Sequence, residues 1–341
     1  MAYTTIDKSS LHFNTKLYTG NGSNSYAITG VGFEPSFVWI KDRTNGYDHC
    51  AFDQVRGVSQ RIYPNNNGAQ STDSDNLVSF DSDGFTLDDN GITNANSNNF
   101  VSWNWTGNGA GSSNSDGSIT STVSANATSK VSIVTYTGTG ANATVGHGLG
   151  VAPTMILFKQ LSATQKWIVY HKALTATKSV HLDTDEAEQS NTFVNNTAPT
   201  SSVFSLGTVV NNNTSSATYV AYCFSDITGF SHSGSYTGNG AANGPVVYTG
   251  FKPSWVLIKS VSSTDWNLYD NKRLGYNGGD APLFANLSNS EATDYNRIDF
   301  LSNGFKIRTS NAQVNNDNTT MLFTAFGQTI ASSNNIAATA R

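Results

Sequence analysis

The stretch "YTGNG" stands at Tyr18–Gly22 and again at Tyr236–Gly240, with "YTGTG" at Tyr136–Gly140 between them. Internal self-similarity of this kind decides a fold before any local propensity does. A proline falls seventeen positions after each of these tyrosines, at Pro35, Pro153 and Pro253, and a lysine follows six positions after each proline. The ungapped blocks are "EPSFVWIK" ending at Lys41, "APTMILFK" ending at Lys159 and "KPSWVLIK" ending at Lys259. Later blocks keep their order: "CAFDQVRG" from Cys50, "WIVYHKAL" from Trp167 and "WNLYDNKR" from Trp266. Then come "VSFDSDGFTL" from Val78, a degenerate "SSVFSLGTVV" from Ser201 and "IDFLSNGFKI" from Ile298. Each copy closes on an aromatic strand, "FVSWNW" from Phe100, "YVAYCF" from Tyr219 and "MLFTAF" from Met321.

The apolar runs in "FVWIK", "MILFK" and "WVLIK" do not alternate, the pattern of a strand covered on both faces. A proline suits the first residue of such a strand, where no ladder donor is required. Asp-Gly and Asn-Gly between apolar runs predict hairpins with type I′ turns, which need positive φ at both central residues. The 341 residues are rich in Ser, Thr, Asn and Gly, with 11% aromatic and 13% charged side chains. Such a composition suits pleated sheets and tight turns. The predicted fold is all-β, three tandem β-sandwich-like repeats (jelly-roll or lectin-like) of about 90 residues, each large enough for a thin core.

The predicted boundaries are an N-terminal extension 1–15, repeats at 16–105, 131–224 and 233–327, a Gly/Ser/Asn-rich linker 106–130, a short junction 225–232 and a C-terminal tail 328–341. The unequal linkers predict tighter packing between the second and third repeats than between the first and second. Both polar ends are expected to be mobile alone and, if ordered, to be held by partner chains.

The formal charge of −5, with Lys and Arg scattered, argues against nucleic acid as a partner. No long apolar run or basic leader indicates membrane insertion or export. Cys50 and Cys223 lie in different repeats and are read as ordinary thiols. The six histidines lack metal-ligand spacing, and a calcium loop starting at Asp81 would need Glu where Ile92 stands, so no metal and no cofactor are expected. The acidic run Asp183–Glu188 reads as a solvated loop. Nucleotide, hydrolase and metalloprotease signatures are missing, and no enzyme is expected. Trp39, Trp167, Trp255 and Trp266 sit in repeated strands and read as core.

Two sets of repeated residues remain as candidate contacts. Tyr18, Tyr136 and Tyr236, with Asn21 and Asn239, read first as strand-end turns and second as a thrice-presented surface for sugar hydroxyls. Lys41, Lys159 and Lys259 read first as stems laid over the core with the ammonium in water, second as equivalent partner contacts.

"AYTTIDKSSLHFNTKLYTGNGS", "GFEPSFVWIKDR", "GHGLGVAPTMILFK", "YTGFKPSWVLIK" and "FLSNGFKIRT" occur in order along nearly the whole chain. In these blocks the sequence resembles a functionally uncharacterised repeat domain of marine bacteriophages, many infecting cyanobacteria. The resemblance implies a virion component assembled in the host cytoplasm and tail-associated, a fibre or adhesin that contacts other virion proteins and host surface glycan. A capsid decoration or head-fibre protein is the alternative, and a polysaccharide-degrading enzyme a third reading. A trimeric homo-oligomer follows by analogy with phage appendages. No catalytic residue is carried over.

Overall fold

The fold was obtained as a computed structural model that describes residues 4–273, 277–293 and 295–330. It is nearly all β, 42% strand against 5% helix, in several antiparallel sheets, which agrees with the all-β expectation. Four strands recur in one order. In the first block an opening strand Phe13–Thr19 pairs with the closing strand Asn99–Trp105, then the proline-led strand Phe37–Asp42, then Cys50–Asp53. The second block orders Val131–Thr137, Thr218–Phe224, Met155–Gln160 and Ile168–His171 in the same way, and the third orders Ser231–Thr237, Thr320–Thr329, Phe251–Ser260 and Asn267–Asp270.

The non-alternating runs are covered on both faces, as their composition requires. In Phe37–Asp42 every residue is buried, and alternate side chains enter different cores. Phe37 and Trp39 enter a core shared by all three blocks, while Val38 and Ile40 enter a core local to the first. Met155 and Leu157 enter the shared core and Ile156 and Phe158 the second local one. Trp255 and Leu257 enter the shared core and Val256 and Ile258 the third local one. Small sheets close the outer side of the local cores: Tyr26–Thr29 with the hairpin Leu77–Asp81 and Gly84–Leu87, Ala143–Gly146 with Val203–Leu206, and Val246–Tyr248 with Ile298–Leu301 and Gly304–Ile307.

At the centre of the shared core, the last aromatic of each closing block meets the other two. Ring centroids lie 6.1 Å apart for Trp105–Phe224, 5.9 Å for Trp105–Phe326 and 5.7 Å for Phe224–Phe326. The three close a triangle of edge and tilted contacts, the arrangement ring quadrupoles favour.

Several sequence expectations are corrected. The stretch 106–130, expected as a flexible or extended linker, supplies strands Ser112–Asn114 and Ser121–Asn126 that extend the second sheet. Its period-two pattern, with Ile119 and Val123 buried in the second local core, is hidden among Ser and Thr. All three blocks share one core, so the difference in rigidity expected from linker lengths has no counterpart in the packing. Of the extension 1–15, the described residues 4–15 are held by this chain itself: Ile6 joins the shared core and Phe13 stacks on Phe326 at 5.4 Å. At the other end the closing strand runs to Thr329, past the expected boundary, while residues 331–341 of the expected tail lie outside the described residues.

The expected hairpins form, but their corners fall one residue earlier. Asp81 pairs with Gly84 and Leu301 with Gly304, which leaves Ser82–Asp83 and Ser302–Asn303 to turn, none of them at positive φ. The glycine is required for another reason. A Cβ on Gly84 would lie 1.9 Å from the Ile28 carbonyl oxygen, and one on Gly304 would lie 2.0 Å from that of Val247. Register also corrects the block "CAFDQVRG". Phe37 faces Asp53, Met155 faces His171 and Trp255 faces Asp270, which makes His49, not Cys50, the counterpart of Trp167 and Trp266.

Removing one corner of the aromatic triangle should be felt by all three blocks. Trp105→Ala is expected to cost about 3–5 kcal/mol, read from denaturant unfolding, with fluorescence and circular dichroism coincident in one transition. Separate transitions for separate blocks would contradict a shared core.

Candidate functional site

The "YTGNG" segments are corners, and what they turn around was not apparent from the motif. Each docks on a four-residue helix, Gly91–Asn94, Val210–Asn213 or Ala312–Asn315. The helix ends in a fully buried asparagine, Asn94, Asn213 or Asn315. Its carboxamide oxygen accepts the backbone N–H of Asn21 at 2.9 Å, Thr139 at 2.8 Å or Asn239 at 2.8 Å. Its NH2 donates to surrounding oxygens, for Asn213 the carbonyls of Ala141 at 2.7 Å and Gly207 at 2.6 Å. A buried amide satisfied at both ends is a rigid staple between two chain segments. The signal was present in the sequence as an asparagine five residues before each closing strand, at 94, 213 and 315 ahead of 99, 218 and 320.

The glycines serve this docking. A Cβ on Gly20, Gly138 or Gly238 would lie 2.2, 2.4 or 2.1 Å from a carbonyl oxygen of the segment following the helix. Gly22, Gly140 and Gly240 hold φ of +62°, +73° and +60°, the left-handed region open to glycine.

The tyrosines face inward. Tyr18 and Tyr136 are buried and Tyr236 is partly so. Their hydroxyls donate to the carbonyls of Thr93 at 2.7 Å, Asn212 at 2.8 Å and Val314 at 2.6 Å. The rings are therefore committed to the corners and offer no stacking platform, which corrects the sugar-surface expectation for them. Asn21 and Asn239 are exposed, and each carboxamide oxygen is engaged within the turn, by Ser23 N–H at 2.9 Å and Ala241 N–H at 3.1 Å.

The three lysines are corrected too. Lys41, Lys159 and Lys259 are wholly buried, ammonium included, so they neither reach water nor present a charge to a partner molecule. Each ammonium caps carbonyls: Asp42 at 2.6 Å and Asn45 at 3.3 Å for Lys41, Asn67 at 2.9 Å and Gln165 at 2.6 Å for Lys159, Ser260 at 2.7 Å and Ser262 at 2.8 Å for Lys259. Burial brings each down to about 8, against the opposing pull of Asp42, Asp183 and Asp185 respectively.

Polar contacts link the blocks at corresponding positions. Trp167 donates its indole N–H to the Tyr63 carbonyl at 2.9 Å, and Trp266 donates to the His181 carbonyl at 2.7 Å. His49 meets the Phe284 and Leu287 carbonyls at 3.1 Å through Nε2, while Nδ1 accepts from the Trp39 indole at 2.9 Å. Burial holds the His49 pKa well below the usual histidine value, which keeps the ring neutral with Nε2 as the donor.

Backbone bonds repeat the same cycle, from Gln70 N–H to Leu161 O at 3.0 Å, Glu188 to Val261 at 2.8 Å and Glu291 to Arg43 at 2.9 Å. On the opposite side of each block, the Tyr222 hydroxyl donates to Asp53 at 2.6 Å and the Trp103 indole to Asp270 at 3.1 Å, and each carboxylate is also held by Arg56 or Arg273 at 2.6 Å. His171 stands in the second block where the others have aspartate and meets the Phe323 carbonyl at 3.1 Å. Burial brings its pKa down to about 4, partly opposed by that bond.

Between the first and second blocks lies an open cleft of about 590 Å³, walled by Arg56, Gln60 and Gln70 on one side and by Thr122, Thr135 and Thr137 on the other. Among the described residues no cluster of three or more His, Cys, Asp or Glu is placed to hold a metal ion. No described helix is long and apolar enough to cross a membrane. Cys50 and Cys223 are free and buried.

Two substitutions check these sites. Asn213→Ala orphans buried backbone groups at about 1–3 kcal/mol each and should lower the unfolding free energy by at least about 2 kcal/mol, whereas Asn239→Ala at the exposed corner should cost well under half of that. For the lysines, the folded pKa of about 8 lies below the unfolded value near 10.5. The unfolded state therefore binds more protons between these pH values, and this contribution to stability rises with pH across the window. Lys159→Met lacks the term. Denaturation at pH 7.5 and 9.5 should show wild type gaining on the variant, and a constant gap would contradict a depressed lysine pKa.

Residues 8–329 match the family described as Domain of unknown function (DUF7483), and the chain belongs to that family. No curated protein and no solved structure matches it.

Proposed function

We propose that this DUF7483 protein is a non-catalytic structural protein of a bacteriophage particle, tail-associated, which presents three similar corners from one rigid body and contributes to attachment to the host surface. In this reading the three blocks are tandem β-sandwich-like units closed about a pseudo-threefold axis. The observation that carries it is the aromatic triangle of Trp105, Phe224 and Phe326, in which the same position of each block meets the other two. The seam bonds support it, since the donor always comes from one block and the acceptor carbonyl from a neighbour at the matching position: second to first, third to second, first to third. A cycle of head-to-tail contacts that closes after three steps is the arrangement of a threefold ring.

The virion assignment draws its support from the sequence resemblance given above. A closed three-unit ring gives a single chain the symmetry that a fibre acquires by trimerising, so a trimeric appendage of the tail is its natural docking partner. Two buried carboxylates repeated at matching positions are committed to structure, Asp53 to Tyr222 and Arg56 and Asp270 to Trp103 and Arg273. The same pseudo-threefold closure also fits a threefold position of a capsid, which supports the second reading, a decoration or head-fibre protein.

Gold-antibody labelling of intact virions, viewed by electron microscopy, separates the readings. Label confined to the tail is the expected result. Label over the head would replace it with the capsid reading, and particles without label would sink the virion assignment altogether.

A further inference from the structure

A second cleft between the first and second blocks, of about 420 Å³, gathers polar groups that the seams do not use. It is lined by Asn67, Lys166, His181, Gln189 and Asn211, with the apolar Ile168 and Val209 among them. His181 is 6% exposed. Its Nδ1 lies 3.0 Å from Glu186 Oε2, which fixes the proton on Nδ1 and leaves Nε2 as an acceptor. No group of the protein meets Nε2 among the described residues. Glu186 is held in turn by the Lys166 ammonium at 2.5 Å and the Gln189 NH2 at 3.2 Å.

The imidazole is not there for the seam. At this place in the three blocks stand Tyr63, His181 and Phe284, and the seam bond uses only their carbonyls. Glu186 holds the ring while Nε2 faces the cleft, so a ligand hydroxyl that enters finds an oriented acceptor. Two further amides are open in the same cleft. Among the described residues no group meets the Asn67 side chain, its backbone carbonyl being the part that holds Lys159. Asn211 donates its NH2 to the Lys166 carbonyl at 3.2 Å, and among the described residues nothing meets its oxygen.

The charges select among ligands. Lys166, the charged side chain that lines the cleft, is paired with Glu186, so it is not left open to attract an anion. What remains is an acceptor nitrogen, an acceptor oxygen and a free carboxamide near apolar surface. That set matches a compact neutral molecule carrying adjacent hydroxyls, each able to donate and accept.

We propose that this cleft binds one neutral saccharide unit, with His181 Nε2 accepting a hydroxyl proton and Asn67 and Asn211 meeting neighbouring hydroxyls. It rests on the attachment reading only for the source of the sugar, a host surface glycan. The site is single, because Tyr63 and Phe284 replace the imidazole in the other blocks.

The test is a titration of the full-length protein, with ¹⁵N-labelled histidine, by the methyl α-glycosides of glucose, galactose and mannose. The expected result is a saturable shift of the His181 Nε2 resonance at millimolar concentration of at least one glycoside. His181→Phe, which keeps the carbonyl that Trp266 needs, and Asn211→Ala, which leaves the ring in place, should each weaken that glycoside about tenfold in isothermal titration calorimetry, a readout independent of the His181 resonance. Absence of a saturable shift with all three, or binding unchanged in both folded variants, would overturn the proposal. That failure is separate from failure of the attachment reading, which is decided by where the label falls on the virion.

Discussion

Covering both faces of the proline-led and closing strands is the constraint on which the fold depends. A strand such as Phe37–Asp42 carries apolar side chains to both sides, and a single block can bury only one of them. The small outer sheet and corner helix cover the Val38 and Ile40 side. The Phe37 and Trp39 side is left for the neighbouring blocks to cover. Full burial of a large apolar side chain contributes about 1.5–3 kcal/mol, and each block contributes several to the shared core, so separation of the blocks would expose far more than a marginally stable chain can sustain.

Apolar faces alone do not fix how three blocks sit together; the polar seams do. Trp167, Trp266 and His49 each spend their one available donor on a neighbouring block's carbonyl. A sliding of one block past another would orphan a buried N–H and a buried carbonyl at once. The aspartates on the opposite face act similarly, Asp53 and Asp270 meeting both an arginine of their own block and a donor of the next. Buried ammonium groups complete the pattern. Lys159 caps the Asn67 carbonyl of the first block, so one of the repeated charges also joins two blocks.

On this near-symmetric frame the second block is the one that departs. It carries the two added strands Ser112–Asn114 and Ser121–Asn126, His171 in place of aspartate, and the His181–Glu186 pair. Both open clefts described above border it.

The sequence by itself determined the repeated strands, their succession along the chain and the corners that follow each tyrosine. Pro35, Pro153 and Pro253, the unbroken apolar runs behind them and the glycines after each tyrosine are local signals with local causes. It also held the corner asparagines at a constant distance from the closing strands, legible in spacing but obscured by the abundance of asparagine. The stretch 106–130 was misread because Ser and Thr mask an alternation that only Ile119 and Val123 reveal. What only the tertiary structure decided is where the second face of each strand goes, and with it the fate of the lysines, of His49 and of His181. A run such as "FVWIK" states that both faces must be covered but carries no record of what covers them. That information lies in the meeting of Trp105, Phe224 and Phe326, residues far apart in the chain whose contact no local pattern encodes.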